Sequence, residues 1–275
     1  MTDPAPRLAA RGLRLGYADT TVVGDLDLAV PAHAVTAIVG PNACGKSTLL
    51  RGLARVMRPR GGAVLLDGRD IQRIPTREVA RTLGLLPQQP DAPEGITVGE
   101  LVARGRHPHS GLLRTWRRDD DLAVDEALRA TETAELVDRR LDELSGGQRQ
   151  RVWIAMALAQ EPEILLLDEP TSFLDVAHQL DVLELLAELN RTQGTTVVMV
   201  LHDLGMAGRY AQHLVAMARG RIVARGTPAE VLTAEVVEGA FGVEARIVPD
   251  PVYGTPMVVP LPRRRGGPSP PVAGG

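Results

Sequence analysis

One stretch limits the folds open to this chain more than any other: Thr36-Ala37-Ile38-Val39, then Gly40-Pro41-Asn42-Ala43-Cys44-Gly45-Lys46-Ser47-Thr48. The first four residues are apolar or β-branched and read as a short buried strand. The strand breaks at Gly40, and residues 47–54 fit a helix. Between them stands the pattern G-x-x-x-x-G-K-S/T, the loop that wraps a nucleotide's phosphates. Several backbone N–H groups must turn inward toward one anion, which needs permissive backbone at Gly40 and Gly45. The helix that follows aims its partly positive N-terminus at the same phosphates. Lys46 adds a full charge at the β/γ-phosphates, and the Ser47 hydroxyl is placed to ligate Mg²⁺. Ala43 stands where many such loops carry another glycine. At φ > 0 an alanine would be strained by roughly 1–2 kcal/mol, so Ala43 is expected in an ordinary backbone region.

At 275 residues the chain gives ample core for one large domain or two closely joined ones. Aromatic residues make up only 3% of the chain, so the packing falls to Leu, Val, Ile and Ala. A net charge of −3 gives no basic footprint for nucleic acid. Residues 1–7 lack the apolar core of a signal peptide. No apolar run approaches the ~20 residues that cross a bilayer. The single cysteine, Cys44, excludes an intrachain disulfide and fits a reducing compartment. It lies within the phosphate loop, where it is either a redox-sensitive obstacle to nucleotide or a small residue that fits the turn.

Residues 7–30 alternate in short runs broken by Gly16 and Gly24 and read as antiparallel strands. Tyr17 ends one of them, either covering the core or offering a face on which an adenine ring can stack. Residues 61–70 resemble a hairpin or edge strand. A short helix over 76–82 precedes an apolar strand over 83–86, which stops at Pro87-Gln88-Gln89-Pro90. From residue 97 to 144 helical patterns replace strands: 98–105, 120–131 and 133–136. The charged stretch 114–121 reads as a solvated helix start, with Asp119, Asp120 and Asp121 suited to a helix N-terminus.

Leu144-Ser145-Gly146-Gly147-Gln148 then opens a long helix over 149–160, where unobstructed glycine N–H groups favour an anion. Ile164-Leu165-Leu166-Leu167 is apolar at every position, which requires cover on both faces, as at the centre of a parallel sheet. It ends in Asp168 and Glu169, at the edge where α/β sheets bind ligands. An amphipathic helix (176–190) leads to a second buried strand (196–201) that ends in His202 and Asp203. Residues 214–217, 221–223 and a helical 228–232 finish the pattern. The Pro/Gly-rich 262–275 is expected to be disordered, with Arg263, Arg264 and Arg265 either solubilising it or touching anionic lipid.

In their order these elements resemble the ATP-binding subunit of ABC transporters over residues 7–245. The Walker A loop falls at residues 40–47, the signature at residues 144–148 and the Walker B strand at residues 164–168, followed by Glu169. The D-loop is Ser172-Phe173-Leu174-Asp175; Gln88 matches the connector glutamine, His202 the switch histidine and Tyr17 the adenine-stacking aromatic. The resemblance implies an α/β fold: a RecA-like P-loop NTPase core with a mostly parallel sheet. An N-terminal antiparallel β subdomain joins it, and an α-helical subdomain over about 97–155 is inserted. Residues 246–275 would be a C-terminal extension, disordered at its end.

The resemblance also implies roles. ATP would be held by Tyr17, Gly40, Pro41, Asn42, Ala43, Cys44, Gly45, Lys46, Ser47 and Thr48. Mg²⁺ would be ligated by Ser47 and Gln88, with Asp168 reaching it through water. Glu169 would polarise the attacking water, with His202, Gln88 and Lys46 also catalytic. Ser145, Gly146, Gly147, Gln148 and Asp175 would complete the site of an opposing subunit in a homodimer. With no span of its own, the chain would work on membrane-spanning permease subunits at the cytoplasmic face, and indirectly with an extracytoplasmic substrate-binding protein. Residues 95–109, Trp116 and residues 172–179 further resemble the import ATPases for ferric siderophores, with haem and cobalamin importers as alternatives. A soluble ABC ATPase outside transport is the rival class.

Overall fold

The computed structural model describes residues 6–109 and 116–262. The alternating runs at the start form β1 (Leu8–Tyr17) and β2 (Thr20–Val30), paired antiparallel. β3 (Val35–Val39) runs into the phosphate loop and α1 (Lys46–Leu53). Next come β4 (Gly61–Leu66) and the short β5 (Arg69–Asp70), the expected hairpin. With β1 and β2 they make a four-stranded sheet in the order β2-β1-β4-β5. α2 (Thr76–Thr82) and β6 (Leu83–Leu86) follow.

α3 (Val98–Ala103), α4 (Arg118–Ala130) and α5 (Gly146–Leu158) make up the helical region. Of residues 133–136, expected to be helical, 134–136 form one 3₁₀ turn. The neck of the insertion is pinned on itself: Val98 N–H donates to Arg139 O (2.9 Å) and Leu141 N–H to Ile96 O (3.0 Å). The charged helix start is less solvated than its sequence suggests. Asp120 is 1% exposed and ion-paired with Arg106, itself 3% exposed, at 3.1 Å. Arg106 also donates to Ala159 O (2.7 Å) and to Glu161 (2.6 Å), tying α4 to the end of α5.

β7 (Ile164–Asp168), α6 (Val176–Gln193), β8 (Thr196–Val200), α7 (Leu204–Tyr210), β9 (His213–Ala218) and β10 (Arg221–Gly226) complete a six-stranded sheet. Its order is β10-β9-β3-β8-β7-β6, and all its pairings are parallel except β10 with β9. The unbroken apolar runs are explained by its two covered faces. Ile164, Leu166, Val198 and Val200 join the core built with β1, β2 and α1, whereas Leu165, Leu167, Val197 and Met199 join that built with α3, α5 and α6. Successive strand residues point to opposite faces, so every position must be apolar.

After α8 (Pro228–Val231) and α9 (Ala234–Phe241), β11 (Ala245–Pro249) and β12 (Pro256–Pro260) form a hairpin. β12 packs on α7. Arg209 of α7 ion-pairs with Asp250 at 2.9 Å and stacks over the Tyr253 ring at 4.3 Å. Arg209 and the N–H groups of Val252 and Tyr253 hold the Asp250 carboxyl down at about 2. The expectations for residues 263–275 lie outside the described residues.

Candidate functional site

Four parallel strands, β3, β8, β7 and β6, end at one edge of the sheet, and each hands on a residue group singled out above: the phosphate loop, His202, the carboxylate pair and Gln88. That edge is where such sheets bind ligands. There, Tyr17, Asn42, Ala43, Gly45, Lys46, Ser47, Thr48, Gln88, Glu169 and His202 line a cleft of about 510 Å³.

Gly40 is required by a close approach: a Cβ there would lie 2.3 Å from the carbonyl oxygen of Met217 on the neighbouring β9. Gly45 caps α1 at φ 106° and offers no side chain, so the first-turn N–H groups stay open to an anion. Ala43, expected in an ordinary region, sits at φ 60°. A loop that collects successive N–H groups on one concave side must alternate in hand. At Ala43 that need outweighs the cost of a methyl group. Lys46 is 5% exposed, and its Nζ donates to Gly40 O (2.9 Å) and Pro41 O (3.0 Å) across the loop.

Ser47 Oγ donates to Asp168 Oδ1 at 2.8 Å, and Asp168 Oδ2 is buried with no partner. Burial raises the Asp168 carboxyl above its ordinary value, and the Ser47 hydrogen bond offsets this only in part. A buried carboxylate oxygen beside a hydroxyl and without a donor of its own suits a cation.

Glu169 adopts φ 54°, a left-handed conformation that costs a non-glycine residue energy. His202 Nε2 lies 2.7 Å from Glu169 Oε1. Gln88 Nε2 donates to Oε2 at 2.5 Å, and Ser172 Oγ donates to the same oxygen at 2.9 Å. The sequence reading placed Ser172 in the D-loop but missed its contact with Glu169. The three-residue spacing, with a proline between, is the signal that could have found it.

Tyr17 is 46% exposed at the cleft rim, and its hydroxyl accepts from Arg51 (3.3 Å), so it does not cover the core. Cys44 is buried and outside the lining, and burial pushes its thiol up. This favours the small residue that fits the turn. Val22 also lines the cleft and was not foreseen.

The structure does not bring Ser145, Gly146, Gly147, Gln148 or Asp175 into this cleft. Ser145 caps α5 reciprocally with Gln148, through contacts of 3.2 and 3.1 Å, while Asp175 caps α6 at His178 N–H (3.0 Å). Among the described residues, no helix is long and apolar enough to cross a membrane.

The profile of the family "ABC transporter" matches residues 23–172. The chain is 55% identical over 263 residues to the ferric enterobactin transport ATP-binding protein FepC of Escherichia coli (strain K12), covering 96% of this chain and 97% of that protein. It is 52% identical over 258 residues to the achromobactin transport ATP-binding protein CbrD of Dickeya dadantii (strain 3937), covering 94% and 96%. Among solved structures it resembles a dimeric structure of MJ0796, described as a bacterial ABC transporter cassette. There the TM-score is 0.72 at 26% identity, covering 80% of this chain and 98% of that one. A profile match across more than half of the chain, near-complete alignment with such relatives and the motif order on one sheet edge agree: this chain belongs to the ATP-binding proteins of the ABC transporter family.

Proposed function

We propose that this chain hydrolyses ATP as the energy-coupling subunit of an importer for ferric siderophores. The observation that carries the cargo reading is the 55% identity to FepC over nearly the full length of both chains. The hydrolytic reading rests on Glu169, held at the cleft by three donors.

Tyr17 offers its ring to adenine, and the N–H groups of residues 40–48 surround the phosphates. Lys46 exchanges the carbonyls of Gly40 and Pro41 for β/γ-phosphate oxygens. Ser47, Asp168 and Gln88 are the oxygen-bearing residues suited to Mg²⁺, which when bound neutralises charge on the phosphates. A carboxylate has about four lone-pair sites, and the three donors leave Glu169 one for the attacking water. It orients that water and draws on its proton. His202 fixes Glu169 through Oε1 and faces the same cleft, where it reaches the γ-phosphate. Catalysis of this type is mostly positioning and charge stabilisation.

Ser145, Gly146, Gly147, Gln148 and Asp175 act on the nucleotide of a second copy, so two chains enclose two ATP molecules. The connector at Gln88 and the helical insertion receive a cytoplasmic helix of the permease subunits. That places the chain at the cytoplasmic membrane face, with an extracytoplasmic binding protein delivering cargo and no part for nucleic acid.

The test is radiolabelled uptake in a strain lacking this chain, with ferric siderophore, haem and cobalamin compared. Loss of ferric-siderophore uptake alone, restored by the intact gene, is expected. Loss of haem or cobalamin uptake instead would overturn the cargo. Purification in a wholly soluble complex would overturn the transport role.

A further inference from the structure

The two segments assigned above to the opposing nucleotide lie on different parts of the fold. The signature opens α5, which packs with α3 and α4 in the helical insertion and also on β6, whereas Asp175 opens α6, which packs on β8 of the core sheet. His178, one turn into α6, touches both. Its Nδ1 lies 2.7 Å from Asp175 Oδ1, the same oxygen that caps its own N–H. Its ring lies against Gly147: a Cβ built there would meet His178 Cδ2 at 2.3 Å and Cγ at 2.7 Å. Gly146 next to it would meet nothing within 4 Å. The second signature glycine is therefore fixed by an imidazole as well as by any need to approach a phosphate.

Further along, α5 and α6 part. A polar cleft of about 400 Å³ opens there, lined by Thr131 and Glu132 just past α4, by Arg151 of α5 and by Asp181, Glu184 and Glu188 of α6. Arg151 pairs with Glu132 inside the insertion rather than with the carboxylates across the cleft. The His178–Gly147 contact thus sits where the two helix starts converge, beside that polar cleft.

We propose that His178 is a positioning residue that locks the signature to the D-loop, so that both reach the other chain's nucleotide as one surface. This rests on the two-chain reading above. The lock has two halves, a ring face on Gly147 and a hydrogen bond to Asp175, and different substitutions remove different halves. His178→Phe keeps a ring and loses the bond. His178→Asn keeps a polar atom near the Nδ1 position and loses the ring. His178→Ala loses both.

The experiment measures ATP turnover, nucleotide binding to the single chain and ATP-driven dimerisation in a Glu169→Gln background. For His178→Ala, turnover is expected to fall by about 10- to 100-fold, the size of effect seen when a remote change misplaces reacting groups. Binding to the single chain should change less than about twofold, since His178 lies outside the cleft, and the thermal midpoint should hold. The Phe and Asn variants should fall between wild type and Ala. In the Glu169→Gln background, His178→Ala should need at least about tenfold more ATP to dimerise. If Glu169→Gln alone never dimerises with ATP, the two-chain reading fails. If it dimerises and His178→Ala changes nothing, the positioning role fails. Equal losses in nucleotide binding and turnover would also overturn it, because they mark a general structural defect.

Discussion

The cleft and the signature face carry the same kinds of groups and treat them differently. In the cleft, charged and polar side chains answer one another across the sequence: Ser47 with Asp168, Gln88 and His202 with Glu169. On the signature face, Ser145 bonds with Gln148 and Asp175 with His178, each within its own helix turn. The first pattern gives the cleft an internal order of its own. The second keeps its hydrogen bonds local and leaves Ser145, Gly146 and Asp175 exposed. Under the two-chain proposal this division gates chemistry by assembly, because each half holds only some of the groups that stabilise the transferring phosphate.

The comparison breaks most visibly at Glu169. Glu169→Gln is expected to retain ATP binding while steady-state hydrolysis falls by about 10²–10⁴-fold, and a closed dimer should accumulate on ATP. Near-normal turnover would remove Glu169 from the chemistry. On the other face, Ser145→Ala should leave nucleotide binding to the single chain intact and reduce turnover by about 10²-fold, as for loss of one charge-stabilising donor. Loss of the N-cap adds a stability cost of about 1 kcal/mol, visible in denaturant titration. If Ser145→Ala weakens binding to the single chain as much as a cleft variant does, the two regions are one site. The smallest effect is at Ala43. Ala43→Gly relieves roughly 1–2 kcal/mol of left-handed strain and gives back about 0.4–1 kcal/mol in unfolded-state entropy. A rise in the thermal midpoint equivalent to about 0.5 kcal/mol is expected, and a fall would show that the methyl group packs usefully.

Much of this arrangement was legible because its signals are short-range or periodic. Apolar runs at residues 164–167 and 196–200 announce strands covered on both faces, and the loop pattern at residues 40–47 is contiguous. What escaped the sequence depends on partners elsewhere. Asp120 is buried because Arg106, fourteen positions earlier, meets it inside the fold; alone it looks like an exposed first-turn acid. The hairpin of β11 and β12 was hidden because Pro249, Pro256 and Pro260 mark its strand ends, where prolines are tolerated but read as loop. Ala43 gives no warning of its left-handed backbone, since a strain of this size leaves no trace in residue type. The signature residues were legible as a motif, yet nothing local in them says that they miss their own chain's cleft.

Lys46 shows how a loop can aim a flexible chain. Its Nζ donates to the carbonyls of Gly40 and Pro41. A four-carbon stem with three rotatable donors is thus held to one direction by the backbone it serves, and little of its freedom is left to lose when an anion binds.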